Sequence, residues 1–386
     1  MNRKFLLAVL FATFSGGLFA AAGISDTVIR QRWPWNRLID VTYALTGVPE
    51  GEFRDVKVTF TLDGEQIDVP PAALSGERFR LVDGYHTLSL DPERVPSLAG
   101  KTVKEGLRVS LTPLKSALYV LVDLAKSAGE DGQIEYVYEE DLHAGLYGSV
   151  ETNLFGLTGL AWTAVTNNAD YKTTKIVFRR IEKGSVLDVS GKSITVDEDF
   201  FMAVFETTFA QVWNAGYTSF KPGWHQDMVP AVNGYDLAHL IGADEDYPSD
   251  CCIAAFRVRT GLDIDLPTCL QWEYACRAGS TTLYNDNGTK TQDVPACVKL
   301  ALCQSSVPTP TAPQEVGLLQ CNAWGLYDTL GNACEWCVDR DGATRYRPGG
   351  SWRLAVGDAT CSNRKTGTVS DNDPNKMNGF RLMIRQ

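Results

Sequence analysis

The residues of this 386-residue chain that carry the most chemistry are its ten cysteines, and all ten (251, 252, 269, 276, 297, 303, 321, 334, 337 and 361) fall in the second half. Residues 334–337, Cys-Glu-Trp-Cys, have the CxxC spacing of a redox or zinc site. No second CxxC and no neighbouring histidine pair completes a metal set. The four histidines, His86, His143, His225 and His239, are scattered, with no HxxxH pattern. An even number of cysteines gathered in one region fits disulfides or buried thiols better, with the pairing left open. Around the CxxC, residues 322–336 (NAWGLYDTLGNACEW) combine aromatics, glycines and acidic groups with neither helical nor strand period. The stretch reads as ordered loop: Gly325 and Gly331 supply turns, and Trp324, Tyr327 and Trp336 carry apolar surface that a loop hides against a core.

The elements that must position this loop differ between the two halves. From about Ile24 to Leu124 the pattern is strand-like. Val56, Val58, Phe60 and Leu62 alternate with Lys57, Thr59 and Thr61, Asp63-Gly64 supplies a tight turn before Ile67 and Val69, and Leu107, Val109 and Leu111 repeat the alternation. Leu118 to Val122 is a continuous apolar run that suits a strand buried on both faces. Short strands at this spacing predict a β-sandwich-like domain over residues 23–125, with the immunoglobulin-like form as one candidate. His86 is its only histidine and takes a surface or packed structural role. Residues 126–173, glycine-rich and acidic at first (Glu139, Glu140, Asp141), form a connector, and Lys175 to Ile181 is the next clear strand. The second half, 174–386, reads as loop-rich α+β. Thr268 and Gln271 make a capping box for a helix running to about Arg277, with Leu270 and Tyr274 toward the core and Trp272 beside them. Thr207 or Thr208 caps a second helix through Gln211 and Trp213, and residues 234–240 suggest a third.

Several stretches resemble the formylglycine-generating enzyme, or sulfatase-modifying-factor, family. In order these are Phe200 and Phe201 with Glu206-Thr207-Thr208 and Gln211; Leu266-Pro267-Thr268 with WEYACRAG (272–279); NAWGLYD, GN and EW of the 322–336 loop; GGSW (349–352); Arg364; and GFRL (379–382). Each motif is weak alone, and the ordered set is specific for the C-terminal half. The resemblance implies a C-type-lectin-like fold variant with little regular secondary structure. The family's namesake enzymes oxidise a sulfatase cysteine to formylglycine with oxygen and a copper(I) ion held by two thiolates, which suit that soft ion. The positions that match those cysteines are Leu354 and Ala359, so copper is not expected; Cys361 is the one remaining catalytic candidate in the segment, against a disulfide or buried thiol there. The family's iron branch needs three histidines from a helical domain that this chain does not resemble. The resemblance also implies calcium, with Asn332 and Glu335 giving side-chain oxygens from the Gly331–Trp336 turn. Arg381 of GFRL is expected to anchor a buried carboxylate such as Glu273 or Asp328. Cys269 and Cys334 stand where the family has other residue types, which suggests a private disulfide between the Thr268 helix and the loop. Trp324 and Trp352 are core residues or a binding surface.

Arg3 and Lys4, an apolar run over residues 5–19 and the small residues 20–23 read as a signal peptide over residues 1–22, cleaved after Ala20 or Ala22, which sends the protein to a periplasm or outside the cell. The run is short for a membrane span, and no later segment reaches spanning length. A net charge of −11 without a lysine or arginine block disfavours a nucleic-acid partner. The leading expectation is therefore a secreted, calcium-supported, non-catalytic family member that binds an extracytoplasmic protein, peptide or glycan. The alternatives are a formylglycine-generating oxidase and a disulfide-stabilised envelope protein.

Overall fold

The computed structural model describes residues 22–32, 36–50, 52–70, 73–100, 106–138, 150–152, 160–162, 166, 168–218, 226–232, 235–285, 301–306, 308–368 and 377–385. Residues 1–21 of the expected signal peptide, residues 139–149 (His143 among them), 153–159, 163–165 and 167 of the connector, His225, Gly234 and Cys297 lie outside them. The chain divides into two compact units, Met1–Ser116 and Ala117–Gln386. Strands predominate and helices are few. No helix among the described residues is long and apolar enough to cross a membrane.

Among the described residues the first unit has seven strands: β1 (Gly23–Gln31), β2 (Ile39–Thr46), β3 (Arg54–Leu62), β4 (Glu65–Ile67), β5 (Leu74–Gly76), β6 (Gly84–Leu90) and β7 (Leu107–Lys115). They form two antiparallel sheets, ordered β1-β2-β6-β5 and β4-β3-β7. The expected alternation is realised in the register, where Val58 faces Leu111 and Phe60 faces Val109. Asp63 and Gly64, both at positive φ, close the β3–β4 turn. Val41, Tyr43 and Leu88 from one sheet and Val56 and Phe60 from the other share one core. His86 is buried there, its Nε2 2.9 Å from the Val82 carbonyl oxygen.

The second unit begins earlier than expected. The apolar run at Leu118 does not close the first unit. It supplies β8 (Tyr119–Asp123), which pairs with β9 (Ile134–Val137) and lies beside the Lys175–Ile181 strand in a six-stranded sheet. A strand with both faces buried needs cover on each side, and β8 finds it here. Its alternate residues enter two cores: Val120 and Val122 join Phe201 and Phe209, while Tyr119 and Leu121 join Phe205 and Tyr327. After a short hairpin, β10 (Val150–Thr152) and β11 (Leu160–Trp162), come β12 (Lys175–Ile181), the hairpin β13 (Gly184–Leu187) and β14 (Ser193–Val196), and β15 (Phe200–Ala203). β16 (Ile264–Asp265) and, at the chain's end, β24 (Met383–Ile384) complete the sheet in the order β16-β24-β15-β12-β8-β9.

Among the described residues four α-helices pack on this frame: α1 (Phe209–Asn214), α2 (Leu237–Ile241), α3 (Cys252–Thr260) and α4 (Cys269–Arg277). Both predicted capping boxes form, at Thr208 with Gln211 and at Thr268 with Gln271. α4 corrects one detail, because Leu270 is exposed at 41% whereas Trp272 is buried at 1%. The helix is enclosed on all sides but that of Leu270, so the large indole takes the core position. α3 escaped the sequence reading because its apolar residues follow no single face. Its end is nonetheless marked by Gly261 in the left-handed region after Arg257 and Arg259. The remaining strands are two-residue pairings and one small sheet. β17 (Ala301–Leu302) runs parallel to β18 (Leu330–Gly331), and β19 (Cys334–Glu335) parallel to β23 (Asn378–Gly379). β20 (Arg340–Asp341), β21 (Thr344–Pro348) and β22 (Arg364–Gly367) form the sheet.

Candidate functional site

The 322–336 loop is held by side chains from distant parts of the second unit, which is why no local period predicts it. Asn322 ties its start to the end of α4: Nδ2 donates to the Ala275 and Cys276 carbonyls (2.8 and 3.1 Å), and Oδ1 accepts from the Trp324 and Leu326 amides. Gly331 sits at φ +83 with the Leu302 carbonyl oxygen 2.2 Å from where a Cβ would be, so the parallel β17–β18 contact requires glycine. At the loop's end, Glu335 is fully buried. Its carboxylate pairs with Arg381 (2.7 Å) and accepts from Trp272 Nε1 (2.6 Å). Arg381 spends its other donors on the carbonyls of Ala203, Val204 and Tyr327 at 2.8–3.0 Å. The expectation that Arg381 anchors a carboxylate holds, with a different partner. Glu273 is taken by Arg277 and Arg364 (both 2.9 Å), and Asp328 accepts from the Gly317 amide (2.6 Å).

Glu206, which the sequence reading treated only as a motif letter, is the second clamp. Its oxygens accept from Asn332 Nδ2 (2.6 Å) and the Ala333 amide (2.8 Å). Glu335 is bonded to the buried Arg381 guanidinium, and Glu206 and Asp328 feel its charge. Burial, with the charges of Asp328 and Glu335, holds the Glu206 carboxyl well above the usual range. Burial likewise lifts Asp328 to about 6, against the Gly317 amide and the Arg381 charge, which lower it. Such a set does not fit calcium at Asn332 and Glu335. The Glu335 oxygens already meet a guanidinium and an indole N–H, Asn332 Oδ1 accepts from the Gln314 amide (2.9 Å), and a cation there would face Arg381.

The other predicted site residues are placed apart. Trp324 is half-buried, its ring 5.1 Å from that of Tyr274, and its carbonyl accepts from Arg179 Nε. Trp352 is half-buried as well, and its amide donates to the Asn332 carbonyl (3.0 Å). Cys361 has no exposure and is hydrogen-bonded to the equally buried Cys276. Leu354 is half-buried; Ala359 is fully buried against Gly350 in the same apolar cluster as Cys276 and Cys361. Copper therefore does not fit: the matching positions carry no sulfur, and no substrate reaches the Cys276–Cys361 pair. No disulfide joins the nine described cysteines. Cys269 lies beside Cys337 rather than Cys334. In extended backbone, residues three apart point to opposite sides, so only one cysteine of the CxxC can face α4.

What the second unit does present is a cleft of about 430 Å³ beside the anchored loop. Leu302, Ser306, residues 308–311, Gln314, Glu315, Leu318 and Leu319 line it together with Asp328 and Asn332. Leu318 is 58% exposed, whereas Ser306, Asp328 and Asn332 are buried. Asn332 braces this lining through both backbone groups of Gln314 (2.9 and 3.3 Å), and Lys172 pairs with Glu315 at 2.9 Å. Sequence reasoning missed the cleft because residues 284–320 depart from the family motifs. The run Pro308, Pro310 and Pro313 with Thr309 and Thr311 was the available signal for a stiff lining.

A strand-rich domain whose long loops are locked by a buried Arg–Glu pair, an ETT glutamate and closing GGSW and GFRL motifs defines the class. The chain belongs to the Sulfatase-modifying factor enzyme 1-like domain family (FGE-sulfatase), whose profile matches residues 190–386. Among solved structures it is similar to Treponema denticola variable protein 1 (17% identity, 55% of this chain and 96% of that one, TM-score 0.44). PvdO from Pseudomonas aeruginosa has the same identity and TM-score, over 54% of this chain and 94% of that one. CarF is 18% identical, over 54% and 97%, with TM-score 0.40. The search of curated proteins gave no match.

Proposed function

We propose that this chain is an exported, non-catalytic member of the family, a binding module that takes an extended peptide segment of a partner protein in the cleft beside the 322–336 loop. The observation that carries the reading is the replacement of the two copper-binding positions by Leu354 and the fully buried Ala359, in a domain that keeps its scaffold motifs and an open cleft. A volume of about 430 Å³ lies within the usual range for ligand sites. Its prolines, leucines and threonines offer apolar contact with a few hydrogen-bonding groups. A glycan is less well served, because the ring surfaces that would stack on a sugar, Trp324 and Trp352, do not line the cleft. In this reading the second unit is a lectin-like variant and the first a sandwich-like adaptor, both exported by the N-terminal signal.

Two measurements test it. Incubation with a CxPxR sulfatase peptide, copper, oxygen and reductant should leave the peptide mass unchanged; conversion to the aldehyde overturns the proposal. Binding to peptide and glycan arrays should select peptides, and Leu318→Asp should lower their retention at least tenfold with the thermal transition unchanged. Glycan selection, or peptide binding indifferent to Leu318→Asp, refutes the cleft assignment.

A further inference from the structure

The second unit holds another constellation, outside the cleft lining, that the proposed binding role does not use. Cys269 at the first turn of α4, Cys337 just past β19 and Asp339 place two sulfurs and one carboxylate oxygen within 4.8 Å of one another, and among the described residues no other such trio of metal-ligating groups occurs. Both cysteines are buried and Asp339 is half-buried, so the group opens to solvent on the carboxylate side. Tetrahedral zinc with Zn–S bonds of about 2.3 Å separates two thiolate sulfurs by about 3.8 Å, inside that limit.

We propose that Cys269, Cys337 and Asp339 form a binding site for a divalent thiophilic cation such as zinc, with both thiols bound as thiolates and the fourth position left to water. Three features support the assignment. Asp339 is already oriented, because its Oδ2 accepts the Cys269 backbone N–H at the start of α4, and no donor among the described residues meets its Oδ1. A carboxylate beside a disulfide would face only sulfur lone pairs; beside a cation it is a ligand. The surrounding charge selects the valence. Arg364 is coupled electrostatically to both sulfurs and is bonded to Glu273, which also holds Arg277. A divalent cation that displaces both thiol protons leaves the charge of this cluster unchanged, whereas a monovalent ion that displaces both adds one negative charge.

The test is titration of the full, chelator-stripped chain with Cd²⁺ under anaerobic reducing conditions, read by thiolate-to-cadmium charge-transfer absorption, with Zn²⁺ as competitor. The expected result is one ion per chain, release of two protons, and displacement by zinc. Cys269→Ser and Cys337→Ser should each abolish the band, Asp339→Asn should weaken binding at least tenfold, and Cys361→Ser should leave it intact. Near-UV circular dichroism identifies variants that fold; if a cysteine variant does not, the Asp339→Asn result and the proton count decide. A band that survives Cys269→Ser in folded protein, a band lost in folded Cys361→Ser, or absence of any band overturns the proposal. So does peptide mapping of the native exported protein that finds Cys269 and Cys337 joined in a disulfide.

Discussion

Asp328→Asn should stabilise the protein at neutral pH, against the usual outcome for a buried side chain inside a signature motif. The Asp328 carboxyl titrates at about 6 in the folded chain against an ordinary 3.8, chiefly because burial penalises its charged form. Between those values the folded state holds a proton that the unfolded state has lost, so stability falls as pH rises through the window. At about 1.4 kcal/mol per pH unit, the charged carboxylate costs the fold about 3 kcal/mol above pH 6 and nothing below pH 4. Asparagine keeps the acceptor for the Gly317 amide and tolerates the φ of +55 at this position. The variant should therefore gain up to about 3 kcal/mol at pH 8, roughly 6–12 °C in the transition of a unit this size, and match the parent at pH 3.5. Urea unfolding across pH 3.5–8, followed by tryptophan fluorescence, measures it. Glu206, raised in the same direction, leaves the variant a residual slope of the same sign. A variant less stable than the parent at pH 8 by more than about 1 kcal/mol would refute the reasoning, since it would mean that the negative charge has a favourable partner such as a bound cation.

Arg381→Met leaves Glu335 buried without its counter-charge beside two further carboxylates and should cost about 3–5 kcal/mol in chemical denaturation at pH 7. Calcium and chelator should leave the melting temperature unmoved, because Glu335 and Asn332 are already bonded; a site saturated a hundredfold would add about 2.7 kcal/mol and reverse that conclusion. Gly331→Ala forces a Cβ against the Leu302 carbonyl at a positive φ, so the parallel β17–β18 contact should part, with a loss of about 1–3 kcal/mol and faster amide exchange at Gly331 and Asn332.

The legible parts of this chain were those whose determinants lie close in sequence. Thr268 and Gln271 form their box within one turn, Val58 and Phe60 alternate within one strand, and the family motifs mark the second unit. The limits were set by choices made through space. The burial of β8 on both faces followed from its composition, but its sheet did not, because β12 lies more than fifty residues on. Arg381 required a carboxylate, and local chemistry cannot rank Glu273, Asp328 and Glu335; in the structure Arg277 and Arg364 occupy the first, and Trp272 positions the last. Cys269 was matched to Cys334 by proximity of motifs, whereas the backbone direction after β19 turns Cys337 toward α4. The cleft depends on residues 302–319, where no motif guided the reading.

The two clamps on the 322–336 loop should act as one unit, and that coupling links stability to the cleft. Glu206 holds Asn332 and the Ala333 amide, while Arg381 holds Glu335 and the Tyr327 carbonyl, so both grip a segment of nine residues around Asp328. Asn332 in turn braces Gln314 in the cleft lining. Asn332→Ala removes the brace and leaves Glu206 with one donor; Arg381→Met removes the charge that both Glu335 and Glu206 feel. Once either clamp is released, the segment can relax around the other, so the double variant should lose less than the sum of the single losses, with a coupling of about 1–3 kcal/mol. Asn332→Ala alone should also weaken peptide binding under conditions where the variant remains folded. Losses that add to within about 0.5 kcal/mol would show two independent anchors and remove the argument that the buried network shapes the cleft.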